Sequence, residues 1–392
     1  MNAPLRYPLS TVPTAEQSFS NTTTFGILGT YPPTVCGLAT FSAALTDGLS
    51  ANDAAVRVVR VADGSASTDT RVIGELVNGS PASIAASSEL LNHNDIAIIQ
   101  HEYGIYGGVD GDEVVEVIRG LRVPSIVVAH TVLKHPSAHQ RSVLEAIAAM
   151  ADQVVVMSHA ANERLCLGYD VDRRKVAVIP HGATVPTHAQ VKRGGRPTLL
   201  TWGLLGPGKG IERVIDAMVF LRDLPGAPRY LIAGQTHPKV LAADGEAYRA
   251  ARIEQAQRNG VADSVCFDSR YRSVDSLNVL AGSAAAVVLP YDSEDQVTSG
   301  VLVDAIASGR PVVATAFPHA VELLAGGAGM VVDHNDPDAL VDALRRVLTE
   351  PRLAGSMAAE ARRLAPSLAW PVVATEYLRL AHRLIAARPA LV

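Results

Sequence analysis

The sequence predicts an α/β protein built from two doubly wound domains. Three observations lead to this prediction. Short, continuously apolar segments alternate with helical patterns along most of the chain, which is typical of parallel strands covered on both faces. The 392 residues exceed what one hydrophobic core usually serves. A polar stretch at 184–197, rich in Pro, Gly and basic residues, separates the halves.

These observations place the domain boundaries. We expect the first domain at residues 1–187, with residues 1–23 loosely ordered, and a linker at 188–197. The second domain is expected at 198–369, and a final helix at 370–392, with Trp370, Val373 and Tyr377 at helical spacing.

Composition and charge restrict the class of protein. With 48% hydrophobic residues and a net charge of −5, the chain gives no reason to expect a nucleic-acid partner or a strongly basic membrane patch. Cys36, Cys166 and Cys266 lie far apart without Cys-x-x-Cys spacing, which indicates neither a disulfide framework nor a zinc cluster. We therefore expect no metal.

Residues 1–24 lack a signal-peptide pattern, and no segment reaches the roughly 20 apolar residues of a membrane span. A cytoplasmic protein is expected, although a helix face could rest on a membrane.

The first half begins with an apolar strand at 24–30, stopped by Tyr31-Pro-Pro33, and a helix from Gly37 to Leu49. His101 and His130 stand at the ends of two later strands, at the carboxyl edge of the sheet where ligands bind. An imidazole there can hydrogen-bond a hydroxyl or stabilise charge, and a structural role is the alternative. The order of the strands stays open. Strands are predicted at 56–61, 72–76, 96–100, 125–129, 154–157 and 176–179, and helices at 111–119, 140–150 and 160–167.

The second half opens with a strand at 198–203, a glycine-rich turn containing Gly206, Gly208 and Lys209, and a helix to Leu221. Glycine-rich backbone before a helix, with one lysine, suits a diphosphate. The turn is not a Walker P-loop, because Gly-Lys is not followed by Ser or Thr. Segment 239–248 shows no motif. Further strands are predicted at 230–233, 265–268, 284–289, 311–315 and 329–332, and a helix at 336–348.

The central feature of the second half is the stretch from Pro290 to Ala314. It predicts a strand ending at Pro290, a polar loop and a helix beginning near Ser299. Ser299 suits an N-cap, Gly300 allows a ligand close to the backbone, and Asp304 follows one turn later. Such a helix start directs N–H groups and a positive dipole end toward a phosphate. An ordinary crossover with a solvated loop is the alternative.

These motifs resemble those of the retaining, nucleotide-sugar-dependent glycosyltransferases of family four. Their GT-B fold implies two Rossmann-like, doubly wound domains that face each other across a central cleft. Gln296 and Asp304 stand at the two acid positions of the family signature, and Asp304-Ala-Ile-Ala-Ser-Gly-Arg-Pro-Val-Val follows its pattern. Leu204 stands at the Arg place and Lys209 at the Lys place of the family's Gly-Arg-Leu-x-x-x-Lys-Gly. His181 replaces the Asn of Ile-Pro-Asn-Gly.

The resemblance extends to the first loop, where Tyr31-Pro-Pro is followed by Cys36 in place of the first of two glycines and by Gly37 in place of the second. It implies transfer of a hexose, with retention and without metal, from a donor of the GDP-mannose or UDP- or ADP-glucose type. The acceptor would be a hydroxyl of a carbohydrate, glycolipid or small molecule. A final helix that crosses back to the first domain is also implied.

The resemblance also implies roles for single residues. Lys209 and the amides of Gly208, Ser299 and Gly300 would hold the phosphates, and Asp304 the ribose. Gln296 and His130 would contact the sugar, and the loop of Arg270 and Tyr271 the base. The full expected set is His130, Lys209 and Gln296 for catalysis, and Gly37, Gly206, Gly208, Lys209, Arg270, Tyr271, Ser299, Gly300, Val301 and Asp304 for the nucleotide sugar.

Two alternatives stay open. A glycoside phosphorylase on the same fold would bind inorganic phosphate at the leaving-group site and would need no base pocket. A non-catalytic sugar- or nucleotide-binding protein is motivated by Leu204 and Gln296, since each removes a charge that the family signature carries.

Overall fold

The structure is a computed structural model that describes residues 22–186 and 195–388. Most of the expected loosely ordered N-terminal segment and most of the expected linker lie outside the described residues.

The first domain is built on a seven-stranded parallel sheet. Its strands are β1 (Thr24–Gly29), β2 (Ala55–Val61), β3 (Val72–Leu76), β4 (Ile96–His101), β5 (Ser125–Ala129), β6 (Gln153–Val156) and β7 (Val176–Val178). Their order is β3-β2-β1-β4-β5-β6-β7. Leu28 of β1 pairs with Val59 of β2 on one side and with Ile99 of β4 on the other. The strand order reverses between β1 and β4, and in open α/β sheets ligands bind at the carboxyl ends of such strands.

Helices cover both faces of this sheet. They are α1 (Gly37–Ser50), α2 (Pro81–Asn92), α3 (Glu113–Arg119), α4 (Ala138–Met150) and α5 (His159–Gly168). Helix α2 was not predicted, because within it only Ser87, Ser88 and Leu91 are buried and its apolar periodicity is weak. Its start carried a usable signal, since Ser80 caps the helix and Pro81 stands in its first turn.

The second domain is built on a six-stranded parallel sheet. Its strands are β8 (Thr198–Trp202), β9 (Arg229–Ala233), β10 (Val265–Asp268), β11 (Ala286–Leu289), β12 (Val312–Thr315) and β13 (Gly329–Val332). Their order is β10-β9-β8-β11-β12-β13, with the reversal between β8 and β11. The two parallel sheets confirm the predicted fold class.

The helices that follow the linker are α6 (Ile211–Leu221), α7 (Pro238–Asp244), α8 (Ala247–Arg258), α9 (Val274–Ser283), α10 (Gly300–Ala307), α11 (Pro318–Leu324), α12 (Pro337–Thr349), α13 (Pro351–Leu364) and α14 (Trp370–Ala387). The segment 239–248, which showed no motif in the sequence, forms α7 and the start of α8. Helix α7 buries none of its side chains, so no apolar stripe marked it.

The continuous apolar strands are explained by their burial on both faces. Within β1 and β4, Ile27 and Ile98 enter one core cluster, whereas Leu28 and Ile99 enter the cluster on the opposite face. This division follows from the alternation of side chains along a strand. Because both faces are apolar, alternation cannot be read from the sequence, and only the length of the segment distinguishes these strands from buried helices.

Helix α14 returns from the second domain to the first. Trp370, Val373 and Tyr377 share a core cluster with Phe41 and Leu45 of α1. The two helices approach closely at Gly48, where a Cβ atom would lie 2.9 Å from the carbonyl oxygen of Trp370. Helix α14 thus belongs to the core of the first domain and links the two domains.

Candidate functional site

The two glycine-bearing turns of the second domain lie side by side. They follow β8 and β11, which are neighbours in the sheet. A Cβ atom built on Gly203 would lie 4.0 Å from a methyl group of Val301 in α10. The carbonyl of Gly208 accepts the N–H of Asp292 at 3.0 Å. From the sequence, we predicted that these two turns converge on one ligand. In the structure, both turns lie at the same edge of the sheet.

Gly210 fixes the first turn against the end of β11. It has a φ of +62°, and a Cβ atom there would lie 1.6 Å from the carbonyl oxygen of Pro290. No side chain fits this position. The Lys209 turn is therefore docked on the chain that leads into α10.

Lys209 presents a positive charge at this edge. Its Nζ lies 4.6 Å from the centroid of the Tyr291 ring, a cation–π arrangement. Tyr291 is buried and stacks on Phe317, with ring centroids 5.3 Å apart. Within the described part of the chain, Lys209 forms no ion pair. The aromatic ring holds the ammonium group in place without neutralising it, so its charge is available to an anion.

The start of α10 offers two unpaired amides. Ser299 is the N-cap, and its side chain accepts the N–H of Leu302 at 3.2 Å, as predicted. The N–H groups of Gly300 and Val301 have no acceptor among residues 22–186 and 195–388. The first amides of a helix combine free donors with the positive dipole end, which favours an anion.

The expectation that the Ser299 amide binds phosphate is wrong in this structure. Its N–H donates to Nδ1 of His319 at 2.8 Å, and both residues are buried. Burial lowers the pKa of His319 to about 4, so Nδ1 is an unprotonated acceptor at neutral pH. A buried acceptor needs a donor, and Ser299 supplies it. Ser299 shapes the turn, while Gly300 and Val301 keep the free amides.

Asp304 lies one turn further along α10. Burial raises the pKa of its carboxyl group to about 7. Within the described chain, no side chain or amide donates to this carboxylate. A carboxyl group without a cation or donor, close to unpaired amides, is suited to hydroxyl groups of a ligand.

The side chain of Gln296 turns back onto its own loop. Its Nε2 donates to the carbonyl of Thr298 at 3.0 Å, and its main-chain carbonyl accepts the N–H of His319 at 3.3 Å. Gln296 therefore stabilises the turn before α10, and its side-chain oxygen remains as a polar group for a ligand.

Neutral histidines from the first domain lie opposite α10. His130 is hydrogen-bonded through Nε2 to Oε1 of Gln100 at 2.6 Å, and its ring meets Phe41 edge-on at 4.7 Å. The Phe41 ring also meets His181 at 5.0 Å. Burial first, and the neighbouring histidines second, lower the pKa of His130 to about 3. His130 thus offers hydrogen bonds rather than positive charge at neutral pH.

His181 makes the contact between the domains. Its Nδ1 donates to the carbonyl of Gly182 at 2.6 Å, which leaves Nε2 as the acceptor. A Cβ atom on Gly300 would lie 2.7 Å from this Nε2. Burial lowers the pKa of His181 to about 4. Through His181, the first domain reaches the free amides of α10.

His101 is less accessible than expected for a residue that faces a cleft. It is almost fully buried, both of its ring nitrogens lack a partner in the described structure, and burial lowers its pKa to about 4. Its ring meets Tyr103 edge-on at 5.0 Å. The carbonyl of His101 accepts the N–H of His130 at 3.1 Å, which fixes the start of the loop that carries His130.

Other expected site residues lie at the edge or have other partners. Gly37 is exposed at the start of α1, where the Cys36 thiol caps the helix. A Cβ atom on Gly208 would meet nothing within 4 Å, whereas a Cβ atom on Gly206 would lie 3.0 Å from Val240, so Gly206 allows packing of the turn against α7.

In the loop predicted to hold the base, Arg270 is committed to Asp268 through two hydrogen bonds, of 3.0 and 2.9 Å, and does not project freely toward a base. Tyr271 is 58% exposed and remains free to stack.

A further set of contacts between the domains carried no signal in the sequence. The Glu322 carboxylate of α11 accepts the N–H groups of His159 and Ala160 at the start of α5, each at 2.9 Å. Ser158 donates to the carbonyl of Val297 at 2.6 Å. A cavity of about 650 Å³ lies beside these contacts, between α5 and α11. Another, of about 140 Å³, lies between α6 and α12, away from Lys209 and Gly300.

No group of three or more His, Cys, Asp or Glu side chains among the described residues could hold a metal ion. None of their helices combines the length and the apolar character needed to cross a membrane.

Comparisons with known proteins agree with this architecture. Residues 35–185 match the family model described as Glycosyltransferase Family 4, and residues 196–350 match the model described as Glycosyl transferases group 1. A glycosyltransferase from Rickettsia africae superimposes with a TM-score of 0.74 at 14% identity, covering 94% of this chain and 100% of that one. Anabaena HepE, solved in complex with UDP and glucose, gives 0.74 at 16% identity over 92% and 99% of the two chains.

Curated relatives are named D-inositol 3-phosphate glycosyltransferase. The protein from Rhodococcus opacus is 26% identical over 237 residues, which cover 57% of this chain and 51% of the relative. That from Corynebacterium efficiens is 27% identical over 294 residues, covering 65% and 64%. The matches thus span from about half to just under two thirds of these relatives.

The two sheets, the paired turns and the structural neighbours define a two-domain α/β protein of the GT-B class. The two family models together match residues 35–185 and 196–350, about three quarters of the chain, and the chain belongs to the group 1 glycosyltransferases.

Proposed function

We propose that this protein transfers a hexose from a nucleoside diphosphate sugar to a hydroxyl acceptor, with retention at the anomeric carbon. The observation that carries the proposal is the position of the Lys209 turn beside the N-terminus of α10, at the ends of neighbouring strands. These elements supply an ammonium group and two unpaired amides to the same edge of the sheet. Such a combination is suited to a diphosphate.

The chemistry assigned to this edge is stabilisation of the leaving group. As the bond to the sugar breaks, negative charge builds up on the diphosphate. Lys209 and the amides of Gly300 and Val301 are fixed before the reaction, so they stabilise that charge without reorganising. Gly208, with open space beside it, lets the phosphates approach the backbone.

The nucleoside is proposed to lie along the carboxyl ends of β10 to β11. Asp304 would accept hydrogen bonds from the ribose hydroxyls, which would favour the ionised form of a carboxyl group whose pKa is about 7. Tyr271, the exposed aromatic side chain after β10, would stack on the base.

The sugar would lie between α10 and the first domain, where His130 and Gln296 offer neutral hydrogen-bonding groups. Asp295, the polar-loop carboxylate that precedes Gln296 in the sequence, lies 3.6 Å from Nζ of Lys134 and 3.9 Å from a guanidinium nitrogen of Arg164. It is therefore occupied by two cations. This supports departure of the diphosphate and attack by the acceptor on the same face, without a protein nucleophile.

The comparisons guide the choice of donor and acceptor for an assay. Anabaena HepE was solved with UDP-glucose, and the curated relatives are named for D-inositol 3-phosphate. A first panel therefore contains UDP-, ADP- and GDP-sugars with glucose or mannose. The acceptors are D-inositol 3-phosphate, simple sugars and a glycolipid.

The proposal is tested by ligand-dependent thermal stability, followed by transfer. A nucleoside diphosphate at 100 times its dissociation constant should stabilise the folded state by about 2.7 kcal/mol. Lys209→Ala should remove most of that shift, because a charged hydrogen bond contributes about 1.5–3 kcal/mol. Arg258→Ala is the control, since Arg258 is exposed on α8 and pairs with Glu254. NMR of the product should show a retained anomeric configuration.

The outcomes separate this proposal from the two alternatives. Binding of a nucleotide sugar without hydrolysis, and without transfer to any acceptor, would support a non-catalytic sugar- or nucleotide-binding protein. Leu204, and the side chain of Gln296 that bonds to its own loop, favour that alternative. Activity with inorganic phosphate and a disaccharide, without any response to nucleotides, would indicate a phosphorylase. An unchanged shift in Lys209→Ala would show that the diphosphate lies elsewhere.

A further inference from the structure

The proposed diphosphate site contains less positive charge than its ligand needs. A bound diphosphate carries at least two negative charges at neutral pH, and position 204, next to the Lys209 turn, is a leucine. The buried histidines nearby do not supply charge, because burial lowers the pKa of His181 and His319 to about 4. Arg213 is committed to Asp292 at 2.8 Å and to the carbonyl of His334. One lysine, Lys209, is left on the turn itself.

Helix α7 brings a second lysine to this turn. The chain before α7 is hydrogen-bonded to the turn at both ends, because Leu205 donates to the carbonyl of Gln235 and accepts from the N–H of His237, each at 2.8 Å. Val240 of α7 packs against Gly206. The neighbouring residue on α7 is Lys239, which is exposed and forms no ion pair in the described part of the chain.

The position of Lys239 shows that its side chain extends into the cleft. Its Nζ lies 3.4 Å from the point where a Cβ atom on Gly104, in the first domain, would stand. Burial raises the pKa of Glu102 in the same first-domain loop, and the Lys239 charge opposes that shift. Burial first, then Lys239 and Lys209, lower the pKa of His237, so both ammonium groups act on one imidazole. Because the Lys209 turn is also hydrogen-bonded to the chain before α7, both lysines stand on neighbouring segments of the second domain.

The helix to which Lys239 belongs does not stabilise its charge. A cation in the first turn of a helix opposes the helix dipole, and Lys239 follows directly after Pro238 at the start of α7. Its charge favours the ionised form of Glu102 across the cleft, but the two groups form no ion pair within the described chain. An exposed, unpaired cation held across a cleft from another domain is suited to an anion that enters that cleft.

We propose that Lys239 is the second cation for the donor diphosphate and replaces the positive charge that is missing at position 204. This inference rests on the proposed function, because it assumes a diphosphate at the Lys209 turn. Lys239 would contact the phosphates from the cleft side, whereas Lys209 and the amides of Gly300 and Val301 contact them from the sheet edge.

The test compares diphosphate with monophosphate binding in single variants. The probes are UDP, ADP or GDP, whichever the wild-type protein binds, and the corresponding monophosphate, measured by calorimetry. Lys239→Ala should weaken the diphosphate about tenfold and the monophosphate less than threefold. Lys239→Arg should retain most of the affinity. Arg258→Ala, which removes one exposed positive charge from the same domain, should change neither.

A second experiment introduces a positive charge at position 204. In the Lys239→Ala background, Leu204→Arg should recover at least half of the lost free energy of diphosphate binding, because the same phosphates gain a cation from the turn. Thermal unfolding without ligand should be unchanged in Lys239→Ala, since the side chain is exposed.

The results that would overturn the inference are distinct from those that would overturn the proposed function. A diphosphate affinity within twofold of wild type in Lys239→Ala refutes the inference. The proposed function still stands if Lys209→Ala loses diphosphate affinity. A raised KM for the acceptor at unchanged diphosphate affinity also refutes it, because Lys239 would then serve the acceptor. Failure of the wild-type protein to bind any nucleoside diphosphate overturns both.

Discussion

Nε2 of His181 lies 2.7 Å from the point that a Cβ atom on Gly300 would occupy. His181 ends the first domain and Gly300 begins α10 of the second, so this contact sets the spacing between the histidines and the unpaired amides. The imidazole has little room to move, because its ring lies 5.0 Å from Phe41 and 5.6 Å from Trp370. Only a residue without a side chain fits at position 300.

Gly300→Ala should therefore reduce donor binding at least tenfold, because the added methyl group displaces His181 or the start of α10. His181→Ala in the same chain should recover part of the loss, since it removes the colliding ring, and a double-mutant cycle will measure the coupling. The control is Gly355→Ala in α13, where a Cβ atom meets nothing within 4 Å. That change should stabilise the protein by roughly 0.5–1 kcal/mol without affecting binding. Equal donor affinity in wild type and Gly300→Ala would contradict the proposed position of the diphosphate.

Asp304→Asn should stabilise the free protein at pH 8 and not at pH 4. Burial raises the folded-state pKa to about 7, whereas the unfolded carboxyl group ionises near pH 4. Between these values the unfolded state loses its proton first, so wild-type stability falls as the pH rises from about 4 to 7 and the loss is complete above 7. Asparagine does not ionise and removes this cost, on the order of 2 kcal/mol after allowance for partial solvent access.

Urea unfolding at both pH values measures this effect. Asp244→Asn is the control, because Asp244 is exposed and forms no ion pair within the described residues. We expect it to match wild type at both pH values. If Asp304→Asn were equally stabilising at pH 4 and pH 8, ionisation would not be the cause. The same variant should lose nucleotide affinity if Asp304 binds the ribose.

Glu322→Ala should destabilise the protein by about 1–2 kcal/mol, because two amides at the positive end of α5 lose their carboxylate acceptor. Glu322→Gln should cost less, since it keeps one acceptor oxygen. Glu376→Ala is the matched control: Glu376 pairs with Arg379 on the surface of α14, and its loss should stay within 0.5 kcal/mol. Unfolding by urea measures stability, and small-angle scattering should show a larger radius for Glu322→Ala. An unchanged radius would show that other contacts hold the domains together.

His130→Gln should lower the rate of transfer about 10- to 100-fold by an amount that does not depend on pH. The pKa of His130 is about 3, so the imidazole stays neutral from pH 5 to 8. Leaving a buried polar group of the sugar without its hydrogen-bond partner costs about 1–3 kcal/mol. The measurement is the ratio of wild-type to variant kcat across that pH range. A ratio that changes with a midpoint near 6.5 would show that His130 acts in its charged form.

Several features of the site followed directly from local sequence patterns. The Ser299 N-cap and the Gly210 turn are set by residues within a few positions of each other, and the structure contains both. The order of the strands was left open, because continuous apolar strands do not show which neighbour they pair with. The exposed helix α7 carried no apolar stripe, so Lys239 could not be assigned to the cleft.

The sequence by itself determined the class of fold, the family and the location of the glycine-bearing turns, because apolar runs, caps and turn residues act over short distances along the chain. Tertiary structure decided which amides and side chains near these turns remain available to a ligand. The amide of Ser299 is taken by His319, 20 residues away, and the start of α5 is capped by Glu322, 163 residues from His159. Such pairings depend on packing between distant segments, and no local pattern specifies them.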